Sequence, residues 1–497
     1  MLTRRQLLLG GTALAALPAG CARPAPDVAA PVEVNDLHSA LNPTRVARVV
    51  SPSARSELGD IVRAAAREGR AISIAGGRHA MGGQQFGAGT VLVDTRGLDR
   101  VLAFDADRGL IQVEAGIQWP ALIDHLLRAQ AGRPRPWGIV QKQTGADRLT
   151  LGGALAANVH GRGLRLKPFV GDVEAFTLVD ARGEERRCSR TENADLFRLA
   201  VGGYGLFGIV STVTLRLAPR RKVERVVEVI DMDNLPARFD RRLAEGFVFG
   251  DCQYATDPGS DAFLRRGVFS CYRPVDDATP VPAVQKELSL QDWDRLLYLA
   301  HVDKRRAFEA YAAYYRSTTG QVYWSDTHQL SAYVDDYHRA LDRTLGAPHP
   351  ATEIISEVYV RREVLPRFLA EVREDFRRDR VDLIYGTIRL IERDDETVLP
   401  WAREAYACVI FNLHAVHTPD GLARVAAAFR GLIDRALAHG GSYFLTYHRF
   451  AERRQVEAAH PTFVAFLRAK RRHDPEERFQ SEWYRFYRTM FADALRA

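Results

Sequence analysis

Glycine-rich stretches at three places in the chain have the composition of loops that hold an anionic ligand. The first follows a predicted strand and includes Gly76, Gly77, Arg78, His79, Ala80 and Gly82. The second spans residues 143–163 and includes Gly145, Gly152, Gly153, Asn158, His160 and Gly161. The third spans residues 202–208 and includes Gly205 and Gly208, with Val210 just beyond. Because glycine permits positive φ and brings backbone N–H groups close to a guest, each loop could cradle a pyrophosphate; a structural turn is the alternative for each one alone.

The third stretch contains G-x-G-x-x-G at positions 203, 205 and 208. That pattern is typical of a Rossmann dinucleotide site only when a strand precedes it and a helix follows it. Here residues 196–201 predict a helix before the glycines, and residues 209–215 predict a strand after them. We therefore interpret the stretch as a loop of a different fold, and an NAD-dependent Rossmann enzyme stays as an alternative.

The elements that must position these loops fall into two regions. From Val46 to Pro219, short β-rich segments alternate with helical patterns such as residues 53–68, whose apolar residues recur on one face. Beyond Pro219, strand patterns are segregated from helical patterns, and the predicted helices cover residues 292–317, 365–377 and 421–439. This arrangement predicts an α+β fold.

The three loops, taken together and in this order, resemble the FAD-binding domain of the vanillyl-alcohol oxidase and p-cresol methylhydroxylase (PCMH) superfamily. The resemblance implies FAD as cofactor and an α+β fold made of a PCMH-type FAD-binding domain and an α+β substrate domain with an antiparallel sheet. It places these domains at residues 41–219 and 220–440. Residues 441–497 would return to the FAD domain, because the stretch at 470–479 resembles the closing segment of the family.

Within this superfamily, residues 76–80 (GGRHA) are most similar to the first loop of alditol and aldonolactone oxidases. The resemblance implies that His79 forms a covalent bond to the flavin 8α-methyl group, with a hydrogen bond to the flavin as the alternative. A second, cysteinyl attachment is not expected, because residues 143–163 contain no cysteine. Gly152 matches a position where oxygen-using relatives carry a small residue beside the flavin, which favours an oxidase over a strict dehydrogenase.

Candidate catalytic residues are Arg389, Tyr447 and His448. Arg389 matches an arginine that faces the flavin in sugar-oxidising relatives, although Thr387 stands where those relatives carry a glutamate. Tyr447 or His448, on a predicted last strand, could accept a substrate hydroxyl proton; a structural role is the alternative for each, and Glu357 is a further candidate.

The expected reaction transfers a hydride from a small alcohol, polyol or lactone, or from an amine, to the flavin. Oxygen or an electron carrier would then reoxidise the flavin. A flavin-binding electron-transfer lipoprotein without turnover of its own is the alternative.

Other classes of function find little support in the composition. The chain has 69 Lys and Arg against 62 Asp and Glu, for a net charge of +7, without the basic stripe that nucleic-acid binding requires. We expect no metal, because His414 and His417 are three apart on a predicted strand and point to opposite faces. The five cysteines form no C-x-x-C pair, and Cys252 and Cys271 are either a disulfide or two buried thiols.

The first 30 residues have the features of an export signal and tether. Arg4 and Arg5 precede an apolar run from Leu7 to Leu17, a pattern similar to a twin-arginine signal peptide. Cys21 ends a lipobox-like sequence, so the lipid-anchored and the soluble form both stay open. We expect a periplasmic or cell-envelope protein whose membrane contact depends on lipidation of Cys21.

Overall fold

The computed structural model describes residues 30–331 and 336–496 of the chain. The predicted signal peptide, including Cys21, lies outside these residues. From Pro31 onward the chain forms one compact unit. The chain combines helices with sheets that are mostly antiparallel, so the predicted α+β fold class is confirmed. The predicted boundaries at residues 219 and 440 remain predictions.

A small parallel sheet carries the first glycine-rich loop. Its strands, in spatial order, are Arg48–Val50, Val91–Asp94 and Ile72–Ala75. The helix Glu57–Arg67 packs beside it and buries Leu58, Val62 and Ala65, which lie on one helical face. A separate hairpin-like pair, Val32–Val34 and Thr44–Val46, is antiparallel.

A five-stranded antiparallel sheet supports the second and third loops. Its strands, in spatial order, are Glu185–Ser189, Val173–Val179, Ile209–Arg216, Leu110–Glu114 and Val101–Asp105. The third loop lies between the helix Ala194–Ala200 and the strand Ile209–Arg216. The predicted helix-before, strand-after order is therefore confirmed, and the Rossmann interpretation of the G-x-G-x-x-G pattern is wrong.

An eight-stranded antiparallel sheet forms the other large layer. Its strands, in spatial order, are Val322–Trp324, Lys222–Asp231, Arg266–Pro274, Phe249–Tyr254, Leu383–Ile391, Tyr406–Val416, Ala351–Arg361 and Ser442–Tyr443. A two-stranded ladder joins Trp137–Gly138 to Ala218–Pro219. Cys252 and Cys271 lie on adjacent strands of the large sheet, as expected, and both thiols are buried and free.

The remaining helices cover the faces and edges of these sheets. Their bounds are Trp119–Ala129, Leu151–Ala157, Leu235–Ala244, Leu290–Val302, Lys304–Ser317, Tyr337–Leu345, Leu365–Arg378, Pro419–Ala438, Arg453–Ala459, Phe463–His473 and Glu482–Met490. The single helix predicted at 292–317 is wrong, because the side chain of Asp303 accepts a hydrogen bond from Arg306 N and starts a second helix there. Among the described residues, no helix is both long and apolar enough to cross a membrane.

The C-terminal part of the chain returns to the small parallel sheet. Phe479 lies beside Ile72, whose N–H donates to Arg478 O at 2.6 Å and whose carbonyl accepts from Gln480 N at 2.8 Å. The carboxylate of Asp474 accepts from the backbone N–H groups of Arg478 and Phe479, at 2.8 Å each. A buried ion pair between Lys470 and Asp474 completes this turn.

Candidate active site

The three glycine-rich loops contact one another. A Cβ on Gly76 would lie 2.1 Å from Thr150 Oγ1, so the first and second loops touch where only glycine fits. The third loop binds the helix Leu151–Ala157, because Gly202 N donates to Leu155 O at 3.0 Å and Tyr204 N donates to Ala156 O at 2.9 Å. Three loops spread over residues 76–208 thus form one continuous cradle.

The helix Leu151–Ala157 inside the second loop was missed by the sequence analysis. Thr150 caps it by accepting a hydrogen bond from Gly153 N at 3.2 Å. The sequence contained a signal for it, since threonine before a run of small and apolar residues favours a helix start. The helix ends at Asn158, whose φ of 48° lies in the left-handed region.

One cavity of about 1240 Å³ runs between the loops and the eight-stranded sheet. Most of the predicted cofactor-binding residues line it: Gly76, Gly77, Arg78, His79, Ala80, Gly145, Gly152, Gly153, Gly205, Gly208 and Val210. The remaining ones lie behind that lining: Gly82, Asn158, His160 and Gly161. Cavities for drug-sized ligands span ~300–1,000 Å³, so this one has room for a large cofactor together with a substrate.

His79 lies on the cavity wall beside a second histidine that the sequence analysis did not single out. The distance from His79 Nδ1 to His38 Nε2 is 2.8 Å. Burial, together with the neighbouring His38, lowers the pKa of His79 to about 3. Burial also lowers the pKa of His38 to about 4. Both rings are therefore neutral at physiological pH, and one ring nitrogen donates to the other.

Glu357, a minor candidate in the sequence, is the centre of a buried hydrogen-bond network. It accepts from Tyr447 OH at 2.9 Å, lies 2.7 Å from His160 Nε2 and is also bonded by Tyr359 OH. Burial alone would raise the pKa of Glu357, but His160 and the two tyrosines outweigh it and lower that pKa to about 2. The carboxylate thus stays ionised and fixes the Tyr447 side chain at the cavity wall.

Arg389 contributes a buried positive charge to the cavity wall. Its residue exposure is 4%, and its Nε and Nη1 atoms have no hydrogen-bond partner among the described residues. It lies on the strand Leu383–Ile391, on which the Thr387 hydroxyl donates to Cys252 O at 3.4 Å. An unpaired guanidinium at a cavity wall is costly unless it meets an anion or a polar ligand.

The structure does not bring His448 to the cavity. The predicted last strand is only Ser442–Tyr443, and residues 446–449 form a turn beyond it. Tyr447 lines the cavity, while the ring of the adjacent residue His448 packs away from it and stacks on Phe450 at a centroid distance of 5.1 Å. Burial lowers the pKa of His448 to about 4.

One end of the cavity is aromatic and cationic, which the sequence analysis did not foresee. Arg225 stacks over Tyr315 and Tyr323, at 5.3 and 4.8 Å from the ring centroids. Arg162 stacks over Tyr272 at 4.8 Å, and its pKa is raised. Asp251 also lines this end. Four strands, a helix and a loop bring these residues together, so no local motif could have identified them.

Comparisons with known proteins bear on the loop-bearing half of the chain. Residues 46–189 match a family model described as an FAD binding domain. The chain is 28% identical over 240 residues to an L-gulono-1,4-lactone dehydrogenase of Mycobacterium tuberculosis, which covers 48% of this chain and 52% of that protein.

Two further relatives match over shorter stretches. Identity to cytokinin dehydrogenase 4 of Oryza sativa subsp. japonica is 30% over 197 residues, or 38% of this chain and 36% of the rice protein. Identity to L-gulonolactone oxidase of Mus musculus is 27% over 170 residues, or 34% of this chain and 37% of the mouse protein. The chain thus spans about half the length of the mycobacterial relative and about a third of the other two.

Proposed function

We propose that this chain, which carries a PCMH-type FAD-binding domain at residues 46–189, oxidises a small hydroxylated substrate by hydride transfer to FAD. The observation that carries the proposal is the single cavity, which joins the glycine loops to Arg389 and Tyr447. A cofactor in the loops and a substrate against the eight-stranded sheet would therefore be in contact. The named relatives act on lactones or on a cytokinin, which supports a small organic substrate.

The residues of the loops fit FAD. Gly145 and Gly205 have φ values of 78° and 73°, a conformation that lets backbone N–H groups converge on a pyrophosphate. Arg78 holds a φ of 58° although it is not a glycine, and such local strain is characteristic of binding sites. Side chains are excluded at Gly76 and at Gly77, whose Cβ would lie 2.3 Å from Arg148 O, which keeps the backbone accessible to a flat or anionic guest.

Bound FAD would supply the acceptor for the substrate hydride, and four side chains of this chain would act on the substrate and on the charge that develops. Tyr447 donates a hydrogen bond to Glu357, so its oxygen can accept one from the substrate hydroxyl and orient the C–H bond. As the hydride leaves the substrate carbon, the hydroxyl proton would pass to Tyr447 while the phenolic proton of Tyr447 passes to Glu357. The Arg389 guanidinium would stabilise the negative charge that develops when hydride arrives. Arg162 and Arg225 would bind the polar end of the substrate.

His79 is proposed as the covalent attachment point of FAD. A nucleophilic ring nitrogen must be unprotonated, and the low pKa of His79 keeps it so at physiological pH. After acid precipitation of the purified protein, flavin should stay in the pellet for the wild type and pass into the supernatant for His79→Ala. His125→Ala, on the helix Trp119–Ala129, is a control that should retain the flavin.

Turnover with a panel of aldonolactones, polyols and alcohols tests the proposed activity, with oxygen and an electron-accepting dye compared as acceptors. Arg389→Met should lower kcat/KM by ~10²–10³-fold, since a lost electrostatic stabiliser typically has this effect. Arg393→Met, at an exposed position four residues away, should match the wild type. A protein that contains flavin but turns over no member of the panel would favour the electron-transfer alternative.

Export of the protein is proposed from its first residues alone. Arg4 and Arg5 precede the apolar run, which supports twin-arginine transport, and Cys21 would decide between an anchored and a soluble periplasmic form. Lys substitution of both arginines should leave the protein in the cytoplasmic fraction of an expressing bacterium. Equal periplasmic amounts for both forms would contradict the proposal.

A further inference from the structure

A second cluster of ionisable side chains lies outside the cavity lining, on the eight-stranded sheet. Glu353 and His414 are directly opposed residues on the paired strands Ala351–Arg361 and Tyr406–Val416. His301, near the end of the helix Leu290–Val302, completes the group from above the sheet. These three residues come from separate elements, so the sequence could not indicate their meeting; it offered only the pair His414 and His417.

The geometry of the cluster matches the needs of a divalent transition metal. His301 Nε2 lies 2.9 Å and His414 Nδ1 3.4 Å from Glu353 Oε1, and the three ligand atoms lie within 4.8 Å of one another. Ligands bound at ~2.0–2.1 Å around a tetrahedral zinc ion are roughly 3.3 Å apart. Two imidazoles and one carboxylate are also the donor set that such ions prefer.

Surrounding hydrogen bonds hold the donors in place for a metal. His301 Nδ1 lies 2.9 Å from Leu297 O, so its proton belongs on Nδ1 and Nε2 presents a lone pair to the cluster. The other carboxylate oxygen, Glu353 Oε2, is bonded by Tyr337 OH at 2.5 Å and by His338 Nδ1 at 2.8 Å. Those bonds leave Oε1 directed at the two histidines.

A second group of ligand types, His160, Glu357 and Cys408, occurs among the described residues and is less suited to an ion. All three side chains are fully buried, and both oxygens of Glu357 are engaged by tyrosines and by His160. In the Glu353 cluster, by contrast, the His414 side chain is 19% exposed, which gives a hydrated ion a path of entry.

We propose that His301, Glu353 and His414 bind one divalent transition-metal ion, of which Zn²⁺ is the natural probe, with water in the fourth position. The ion would tie the helix Leu290–Val302 to the eight-stranded sheet. Trp293, Leu296, Leu297 and Ala300 of that helix line the large cavity, so the metal would hold one wall of the substrate site in place. The function is structural, and it does not depend on the proposed oxidation.

The test uses untagged, flavin-loaded full-length protein that has been treated with a chelator and dialysed against Zn²⁺. Elemental analysis should find one zinc per chain, and the midpoint of thermal unfolding should rise when zinc is added. His301→Ala and His414→Ala should each weaken zinc binding by more than ~100-fold, a larger loss than removal of an outer-shell partner causes. Glu353→Gln should also weaken it while keeping an acceptor for Tyr337.

Two histidines serve as matched controls. His417→Ala removes a ring that bonds to Thr352 Oγ1 at 2.9 Å and should leave zinc binding unchanged, as should replacement of the exposed His349. Flavin content, measured in each sample, shows whether a variant has folded and keeps the result separate from the fate of the proposed oxidation. The proposal is overturned if folded wild type retains no zinc, or if folded His301→Ala and Glu353→Gln retain as much as His417→Ala.

Discussion

Replacement of Gly76 by alanine tests the contact between the first and second loops. The added Cβ would lie 2.1 Å from Thr150 Oγ1 and 3.1 Å from Thr150 Cβ and Cγ2. Thr150 is fully buried, and its hydroxyl caps the helix Leu151–Ala157, so it cannot turn away without breaking the cap. Steric crowding costs ~1–3 kcal/mol, and a lost cap costs about 1 kcal/mol. Gly76→Ala should therefore destabilise the fold by about 2–4 kcal/mol.

A double-mutant cycle makes this prediction specific. Thr150→Ala alone should cost about 1 kcal/mol for the lost cap. The double variant Gly76→Ala/Thr150→Ala should cost only about 1–2 kcal/mol, because the Oγ1 and Cγ2 atoms that the new Cβ meets are gone. The sum of the single losses would then exceed the double loss by about 2 kcal/mol.

The assay combines urea unfolding, followed by circular dichroism, with the flavin-to-protein ratio of each purified variant. Gly76→Ala should lose flavin, and Thr150→Ala should restore part of it. Gly69→Ala is a poor control because that residue has positive φ. Gly431→Ala adds a Cβ with nothing within 4 Å inside the helix Pro419–Ala438, so it should not destabilise the fold and should gain about 0.5–1 kcal/mol from helix propensity. Additive losses in the double variant would refute the described packing of the two loops.

Two further predictions concern buried carboxyl groups. Burial raises the pKa of Asp172 from 3.8 to about 8. Between about pH 4 and 8 the folded state therefore holds a proton that the unfolded state has released. The free energy of unfolding should fall as pH rises through this range, by on the order of 5 kcal/mol in total. Asp172→Asn should remove this decline in urea unfolding measured across that range, and a wild-type profile parallel to that of the variant would contradict it. Glu357→Gln should cost ~1–3 kcal/mol of stability and lower kcat, since Tyr447 and His160 lose an ionised partner. Glu363→Gln, at an exposed position, is the control. Equal unfolding midpoints for Glu357→Gln and Glu363→Gln would refute a central role for Glu357.

Local chemistry explains which parts of the cofactor site were predictable. Gly145 and Gly205 adopt positive φ, a conformation that favours glycine, so the glycines themselves indicate the loops. Apolar residues recur every three to four positions in the helix Glu57–Arg67 and every two positions in the strand Ile209–Arg216, which predicts both elements. The loops and the flanking elements could therefore be placed from the sequence alone.

The parts that could not be predicted depend on long-range pairing. Glu357 becomes important only because the strand register and the turn after Tyr443 bring His160 and Tyr447 to it from elsewhere in the chain. The strand Ser442–Tyr443 also ends before residues 446–449, against the expectation, and the His448 ring packs on Phe450 instead of lining the cavity. The contact between Gly76 and Thr150 likewise joins two loops that are distant in sequence, and no local pattern predicts that they meet.

The most direct test of the central claim is anaerobic mixing of the flavin-loaded protein with each member of the substrate panel while the visible flavin band is recorded. We predict that a hydroxylated substrate bleaches the band within a single turnover, that Arg389→Met slows the bleaching by ~10²–10³-fold, and that Arg393→Met does not. Flavin that is present in the cavity but is reduced by no member of the panel, or reduced equally fast in Arg389→Met, would contradict the account.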